Sequence, residues 1–392
     1  MYIKRDITKE VLEGSKDSPV IAIVGPRQSG KSTLCKEIFP KHAYVDMQDA
    51  DTLDFALSDP KGFLQKRCNK YGIVIDEAQY APKLFDQIKV EVDKDRSNMG
   101  RYILSGSQNF LLNEKITESL AGRVYIYTLL PFSIKELVDN DLLKHEYEEQ
   151  ILRGFYPGLY GTQTNVEKFY ESYLFTYVER DLRQLRNIDN LALFNKFLKL
   201  CTTRIGQPLN MSSLAVETGI SVQTVQAWLS ILQASFIIFL LQPYHSNFSK
   251  RIVKSPKLYF YDVGLAAHIG KLSVEKLIEK QPVLGQFFEN MIVVDLIKEC
   301  INKGISYRPY FFRDVNQREV DLLIETRQKT YLIEIKLAAA TSKKFFTTLN
   351  WLQEEFGIKD KTTLIYTGDQ SQPRAKTTVL PWYEDYKTIK NR

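Results

Sequence analysis

The first third of the chain alternates short apolar runs with longer amphipathic stretches. Continuous apolar runs are typical of strands buried on both faces of a sheet, and amphipathic stretches such as residues 83–95 are typical of helices that cover it. The runs predict five strands, at residues 20–24, 43–46, 72–76, 101–106 and 124–128. Because strands and helices alternate, the pattern predicts an α/β fold with a parallel sheet that ends near Pro131.

Beyond this sheet the pattern changes three times, so a chain of 392 residues is expected to form several domains. The helical segment after the sheet is charged and rich in Tyr. The predicted domains are an α/β domain at residues 1–131, a helical lid or linker at 132–190, a winged helix-turn-helix at 191–262 and a second α/β domain at 263–392.

The winged-helix prediction comes from two helices and two strands in a fixed order. Residues 209–229 predict a helix, a turn at Gly219 and a second helix capped by Ser221. Two β-rich runs follow, at residues 236–244 and 257–261, and they flank a polar tip. The alternative is that this segment packs as a lid or as a surface for another protein.

The last domain is predicted to begin with a helix and to continue as strands around a second helix. The helices are expected at residues 284–300 and 342–356, and the strands at 309–313, 320–325, 331–337 and 362–367.

Residues 25–32 read G-P-R-Q-S-G-K-S and lie between the first apolar run and a helical run that starts at Thr33. This is the strand–loop–helix context of a phosphate-binding loop, in which main-chain N–H groups and a helix N-terminus bind phosphate oxygens. Lys31 would reach the β- and γ-phosphates, and the Ser32 hydroxyl would bind Mg²⁺. The predicted nucleotide-binding residues are Gly25, Pro26, Arg27, Gln28, Ser29, Gly30, Lys31, Ser32 and Thr33.

The third apolar run ends in two acids, Asp76 and Glu77. Asp76 is predicted to hold the Mg²⁺ through its water shell, and Glu77 to orient or deprotonate an attacking water. Ser107 directly follows the fourth run, and we predict it to sense the γ-phosphate, although a plain Ser-Gly-Ser turn explains it equally well. No Asn-Lys-x-Asp motif follows, so ATP is favoured over GTP.

Arg123 is a candidate for stabilising charge on the transferred phosphoryl group, across the boundary of a homo-oligomer if one forms. Arg101 and Arg27 compete for this role. For each of the three, a surface salt bridge is as good an explanation.

A second group of charged residues lies near the C-terminus. Strand alternation places Glu334 and Lys336 on one face of their strand, and Glu319 and Asp321 on one face of theirs. Asp321 and Glu334 would bind one or two Mg²⁺ ions and Lys336 would position or activate a water, as phosphodiester cleavage requires. The alternative is a solvent-facing Glu–Lys pair on an edge strand.

Several of these segments resemble one branch of the AAA-type ATPases of bacteria and archaea. They are G-P-R-Q-x-G-K-S, I-D-E-A-Q (75–79), L-S-G-S-Q (104–108), S-L-A-G-R (119–123) and Y-D-V-G-L (261–265). The resemblance covers almost the whole chain. It implies ATP binding and hydrolysis, with a nuclease-like core in the C-terminal half, and it implies no particular substrate.

The order helix, three strands, helix, strand with Asp321, Glu334 and Lys336 resembles the PD-(D/E)xK nuclease superfamily. Glu289, in the helix that precedes these strands, joins the predicted catalytic set. The chain departs from the pattern at Val320, where proline would precede the aspartate. A nuclease-like fold that is kept only for binding or regulation is a further alternative.

The charge distribution favours DNA as a partner without requiring it. The net charge is +6, and residues 161–260 carry 11 Lys and Arg against 6 Asp and Glu. Residues predicted to contact base edges are Gln223, Thr224 and Gln226, and those predicted to contact phosphates are Lys250, Arg251, Lys254 and Lys257. The alternative function is an ATP-dependent regulatory switch that makes no cut.

The N-terminus lacks an apolar core of the signal-peptide type, and the longest apolar stretch, residues 234–241, is too short to cross a bilayer. Four cysteines are scattered without metal-ligand or redox spacing. We therefore expect a cytoplasmic protein with no membrane partner.

Overall fold

Five parallel strands form the first sheet, in the spatial order β2-β3-β4-β1-β5. They are β1 (Val20–Val24), β2 (Ala43–Asp46), β3 (Ile73–Asp76), β4 (Tyr102–Gly106) and β5 (Val124–Thr128). In this order β4 lies between β1 and β3. The loops that follow these three strands therefore emerge side by side at the carboxyl edge of the sheet, where ligands of open α/β sheets bind.

This computed structural model describes residues 2–107, 119–161, 164–176, 190–244, 254–279 and 281–384. The chain divides into two compact units. The first unit comprises Met1–Phe132 with two short segments, Ala234–Phe236 and Ile301–Gly304. The second comprises Ser133–Gln233, Ile237–Cys300 and Ile305–Arg392.

Helices of the first unit cover the sheet with apolar side chains. They are α1 (Thr8–Gly14), α2 (Lys31–Ile38), α3 (Ala50–Ser58), α4 (Pro60–Arg67) and α5 (Lys83–Lys94). Val11 of α1 and Leu34 of α2 pack with Ile21, Ile23 and Ile103 in one buried cluster. Because the start of α2 belongs to this packed layer, the loop between β1 and α2 is held from both ends.

Ten α-helices are described between residues 134 and 355, all in the second unit except for the last residues of two of them, which end at Ala234 and Asn302. They are α6 (Ile134–Val138), α7 (Tyr147–Arg153), α8 (Val166–Tyr173), α9 (Leu191–Thr202), α10 (Met211–Thr218), α11 (Val222–Ala234), α12 (Val263–Ile269), α13 (Val274–Glu279), α14 (Gln281–Asn302) and α15 (Lys344–Glu355). Gly219 ends α10 in the left-handed conformation, and the Ser221 hydroxyl accepts a hydrogen bond from the Thr224 N–H at the start of α11. The predicted pair of helices around Gly219 is therefore present.

Eight strands form a mixed sheet in the second unit, in the order β12-β13-β11-β10-β9-β8-β6-β7. They are β6 (Ile238–Pro243), β7 (Lys257–Phe260), β8 (Tyr307–Arg313), β9 (Glu319–Thr326), β10 (Thr330–Lys336), β11 (Thr362–Tyr366), β12 (Gln372–Pro373) and β13 (Thr377–Pro381). Periodicity predicted all of them except β12 and β13.

The strand pair β6–β7, predicted as a wing, is antiparallel. Its strand β6 also pairs in parallel with β8. The regions predicted as winged helix and as nuclease-like domain therefore share one sheet, although the division into four domains stays a prediction. Among the described residues, no helix combines the length and apolar character that crossing a bilayer requires.

Candidate functional site

The loop between β1 and α2 has the backbone of a tight turn. Gly25 has φ 155° and Gly30 has φ 93°, both values that favour glycine. A Cβ atom on Gly25 would lie 2.1 Å from the Leu129 carbonyl oxygen, so no other residue fits there without a shift of the backbone. Gly30 is the N-cap of α2, and the Leu34 N–H donates to its carbonyl at 2.9 Å. The predicted loop therefore opens directly onto a helix N-terminus.

Lys31 is buried, and its ammonium donates to the carbonyls of Gly25 (3.1 Å) and Pro26 (2.7 Å). Burial lowers the pKa of Lys31 to about 8, although the charges of Glu77 and Asp76 act in the opposite direction. The ammonium thus has carbonyl partners but is poorly solvated. A polyanion bound at the loop would supply the negative charge that a buried cation favours.

Asp76 ends β3 with a buried carboxylate that accepts several hydrogen bonds. The hydroxyls of Ser105 and Tyr44 donate to its two oxygens, and the nearby Ser32 hydroxyl also lowers its pKa. Burial alone would raise the pKa of Asp76, but these hydrogen bonds outweigh it and hold the pKa below its usual value. Asp76 is therefore a charged carboxylate beside the first turn of α2.

Glu77 follows with φ 50°, a left-handed conformation that is strained for a residue with a side chain. One of its carboxylate oxygens accepts from the Ser107 hydroxyl at 3.0 Å, from the Ser107 N–H at 3.3 Å and from the Gln79 amide. The structure thus brings together Glu77 and Ser107, the predicted base and the predicted γ-phosphate sensor. Gln108, next along the chain, lies outside the described residues.

The donor set at this edge of the sheet fits Mg²⁺ and a triphosphate. A Ser32 hydroxyl and an Asp76 carboxylate are hard oxygen ligands of the kind that Mg²⁺ prefers. Lys31 and the N-terminus of α2 are the cationic and partly positive groups that phosphates prefer. Pro26, Arg27, Gln28 and Thr33 lie in the same loop or the same first turn, and their predicted nucleotide contacts stay predictions.

Arg123 lies in the surface ion pair that was its alternative explanation. Its guanidinium donates to both Asp93 oxygens at 2.8 Å and to the Ala121 carbonyl at 2.9 Å. Arg96 binds the same carboxylate at 3.0 Å. A role for Arg123 on a phosphoryl group would therefore require its guanidinium to leave Asp93, and that role stays a prediction.

In the second unit, Asp321, Glu334 and Lys336 lie together, as strand alternation predicted. The Lys336 ammonium lies 3.2 Å from an Asp321 oxygen and 2.6 Å from a Glu334 oxygen. Burial and Asp321 raise the pKa of Glu334 to about 8, although Lys336 acts the other way. The second Glu334 oxygen is buried and has no hydrogen-bond partner among the described residues. One carboxylate oxygen is thus left for a further ligand.

Lys257 corrects a prediction. We expected it to contact phosphates from the wing, but its side chain is fully buried and its ammonium pairs with Glu289 at 3.0 Å and Glu319 at 2.5 Å. Glu289 also accepts from the Tyr259 hydroxyl at 2.5 Å. The cause is that β7 joins the mixed sheet, so its first residue points into the sheet's charged cluster rather than to solvent. Lys250 and Arg251 lie outside the described residues.

The charged side chains of this C-terminal cluster pair mostly with one another. In the part of the chain that the structure describes, no three or more His, Cys, Asp or Glu side chains are grouped to hold a metal ion. Asp321 and Glu334 are oxygen ligands of the right kind, but Lys336 lies between them. Metal binding by these two residues stays a prediction.

Two contacts at the first site were not predicted. Tyr44 of β2 donates to Asp76, and Gln79 donates to Glu77. The strand alternation of residues 43–46 offers a signal for Tyr44 only once β2 is known to lie beside β3. Gln79 lies two residues beyond Glu77, but no spacing rule distinguishes it.

Comparison with known proteins agrees with this geometry. Residues 17–138 match the family model described as AAA domain. Together with the parallel sheet and the phosphate loop, this match supports an AAA-type P-loop ATPase. Residues 144–276 and 284–384 match two family models described as domains of unknown function, DUF8612 and DUF4143.

Two mycobacterial relatives match the chain along most of its length. They are the uncharacterized proteins Mb2031c of Mycobacterium bovis and Rv2008c of Mycobacterium tuberculosis. Each is 26% identical over 381 residues, which cover 96% of this chain and 82% of the relative.

Solved structures with a likeness to the chain include a Walker-type ATPase, PABY2304, of Pyrococcus abyssi. Its TM-score is 0.46 at 17% identity, over 68% of this chain and 96% of that one. The AMPPCP-bound DnaA of Aquifex aeolicus has a TM-score of 0.30 at 13% identity, over 58% and 86% of the two chains.

Proposed function

We propose that this protein binds and hydrolyses ATP at the carboxyl edge of the first sheet. The observation that carries the proposal is the meeting of three elements at one point. The Ser32 hydroxyl, in the first turn after the phosphate loop, lies near Asp76 at the end of β3 and lowers its pKa, and Glu77 beside it is held by Ser107, which directly follows β4. The AAA domain match over residues 17–138 supports the same function.

Each residue has a task that its contacts support. The loop amides and Lys31 bind the β- and γ-phosphates, while Ser32 and Asp76 hold the Mg²⁺. Bound Mg²⁺ supplies charge neutralisation for the phosphates. Glu77 orients a water for attack on the terminal phosphate, or accepts its proton, and Ser107 fixes the carboxylate that does so.

The experiment is a phosphate-release assay with ATP, in Mg²⁺ and in EDTA, and with GTP as the competing substrate. We expect turnover with ATP that requires Mg²⁺. If no phosphate is released from either nucleotide in Mg²⁺, and neither binds in calorimetry, the proposal is wrong.

A second function, DNA binding with Mg²⁺-dependent cleavage, is favoured by the C-terminal cluster. Its supporting observation is the contact of Lys336 with both Asp321 and Glu334, together with the buried, unpartnered Glu334 oxygen. The alternative, in which this region only binds a partner and the ATPase acts as a switch, is favoured by the internal pairing of Lys257 with Glu289 and Glu319.

Asp321→Ala distinguishes these functions. If the cluster cuts DNA, the substitution should lower Mg²⁺- or Mn²⁺-dependent nicking by about 100-fold or more, since it removes one of two carboxylate ligands. Nicking of a supercoiled plasmid, with and without ATP, is the measurement. Asp369→Ala, an exposed aspartate of the same unit, is the matched control, and thermal melting checks that both variants fold. If the wild-type protein cuts no DNA, the regulatory switch is the function that remains.

DNA binding itself should depend steeply on salt. Gln223 and Gln226 are exposed on α11 while Val225 and Trp228 are buried, so the helix presents a polar face to a partner. A protein that contacts about four phosphates should lose roughly 100-fold in affinity between 50 and 200 mM salt. Gel-shift titrations of a duplex at both salt concentrations measure this, and Gln226→Ala should weaken binding at both. Absence of a shift at low salt would contradict DNA binding.

A further inference from the structure

Arg5 is a buried arginine in the segment before α1, and no motif of the phosphate loop includes it. Only 4% of its surface is exposed. Its Nη1 donates to the Ser29 carbonyl at 2.8 Å and its Nη2 to the Leu130 carbonyl at 2.6 Å, and the guanidinium lies 4.8 Å from the centre of the Phe132 ring. A single side chain thus connects the phosphate loop to the segment that follows β5.

The hydrogen bond to Ser29 has a consequence for the next residue. The peptide bond between Ser29 and Gly30 is trans, because the described chain contains no cis peptide. In a trans peptide the C=O and the N–H point in opposite directions. Because Arg5 holds the Ser29 carbonyl on its own side, the Gly30 N–H faces away from Arg5, toward the side where a phosphate loop binds its ligand.

The segment after β5, which Arg5 contacts through Leu130, is itself fixed to the start of the phosphate loop. Leu129 donates its N–H to the Val24 carbonyl at 2.8 Å, and the Leu129 carbonyl lies against Gly25. The Nη2 group of Arg5 therefore binds a segment that is itself hydrogen-bonded to Val24, the residue directly before the loop. Arginine suits this role because its planar fork reaches two carbonyls at once and stays charged, whereas a lysine offers one ammonium.

We propose that Arg5 is a positioning residue of the nucleotide site, which turns the Gly30 N–H toward the phosphates by holding the Ser29 carbonyl. This inference rests on the proposed ATP-binding function. Under this proposal, a residue that precedes the first strand takes part in phosphate binding. Its loss should change the affinity for nucleotide rather than the rate of the chemical step.

The test is calorimetric titration of ATP and of ADP into four proteins: wild type, Arg5→Ala, Arg5→Lys and Val92→Ala. We expect Arg5→Ala to weaken both nucleotides by about tenfold, with Arg5→Lys intermediate. Val92→Ala removes buried carbon near the C-terminal end of α5, in the same unit but outside the cluster that packs against α2, so it reports the effect of lost stability alone. It should bind as wild type does.

A second readout separates positioning from catalysis. Arg5→Ala should raise KM for ATP while kcat at saturating ATP stays within about twofold of wild type. Unchanged affinity in a folded Arg5→Ala, or equal weakening in Val92→Ala, would overturn the proposal. If Arg5→Ala does not fold, the affinity, KM and kcat of Arg5→Lys test the proposal instead. A wild type that binds no nucleotide would instead overturn the proposed function, and the role of Arg5 with it.

Discussion

Lys31→Ala is expected to abolish ATP binding in calorimetry. The ammonium is the buried cation of the loop, and its contacts with the Gly25 and Pro26 carbonyls show that it already lies against the turn. Charge-assisted hydrogen bonds contribute about 1.5–3 kcal/mol each. Loss of two such contacts with phosphate should therefore lower affinity by roughly 10²- to 10⁴-fold.

A matched control removes the same charge elsewhere in the unit. Lys16→Ala alters an exposed lysine before the amino end of β1, whereas the loop follows the carboxyl end of that strand, so it should bind ATP as wild type does. Thermal melting without nucleotide shows whether Lys31→Ala remains folded, which matters because its ammonium lies near Asp76 and Glu77. Wild-type affinity in a folded Lys31→Ala would refute the assignment of the loop.

Much of the first site could be predicted because its chemistry is contiguous in the sequence. Residues 25–32 carry the turn, the cation and the hydroxyl within one stretch, and Asp76 ends an apolar run of evident strand character. A parallel sheet brings the ends of such runs to one edge, so the meeting of Ser32 and Asp76 follows from the pattern. The same alternation rule predicted the contact of Lys336 with Asp321 and Glu334.

What could not be predicted depends on which distant strands become neighbours. Lys257 looked like a wing residue because its surroundings in sequence are basic, but the pairing of β6 with β8 draws the hairpin into the C-terminal sheet. Its ammonium is then satisfied by Glu289 and Glu319. Arg5 and Tyr44 were missed for a similar reason. Each acts through a partner more than 20 residues away, and periodicity carries no information about such pairs.

Glu77→Gln is expected to keep ATP binding and to lose turnover. The amide has the shape of the carboxylate, and its oxygen can still accept from the Ser107 hydroxyl and the Gln79 amide, so the strained turn at Glu77 should persist. It cannot take a proton from water, and general-base catalysis contributes about 10²- to 10⁴-fold. Phosphate release at saturating Mg²⁺ and ATP should fall by roughly this factor, while the Kd for ATP changes little.

Glu13→Gln makes the same change at an exposed position of α1 and should turn over ATP at the wild-type rate. Ser107→Ala provides an internal check, because Ser107 holds the Glu77 carboxylate through its hydroxyl. If Glu77 is the base, Ser107→Ala should slow turnover in the wild-type background but add little to Glu77→Gln, since the two residues then act through one carboxylate. Normal phosphate release by Glu77→Gln would remove Glu77 from the mechanism, and the proposed metal-binding role of Ser32 and Asp76 would not change.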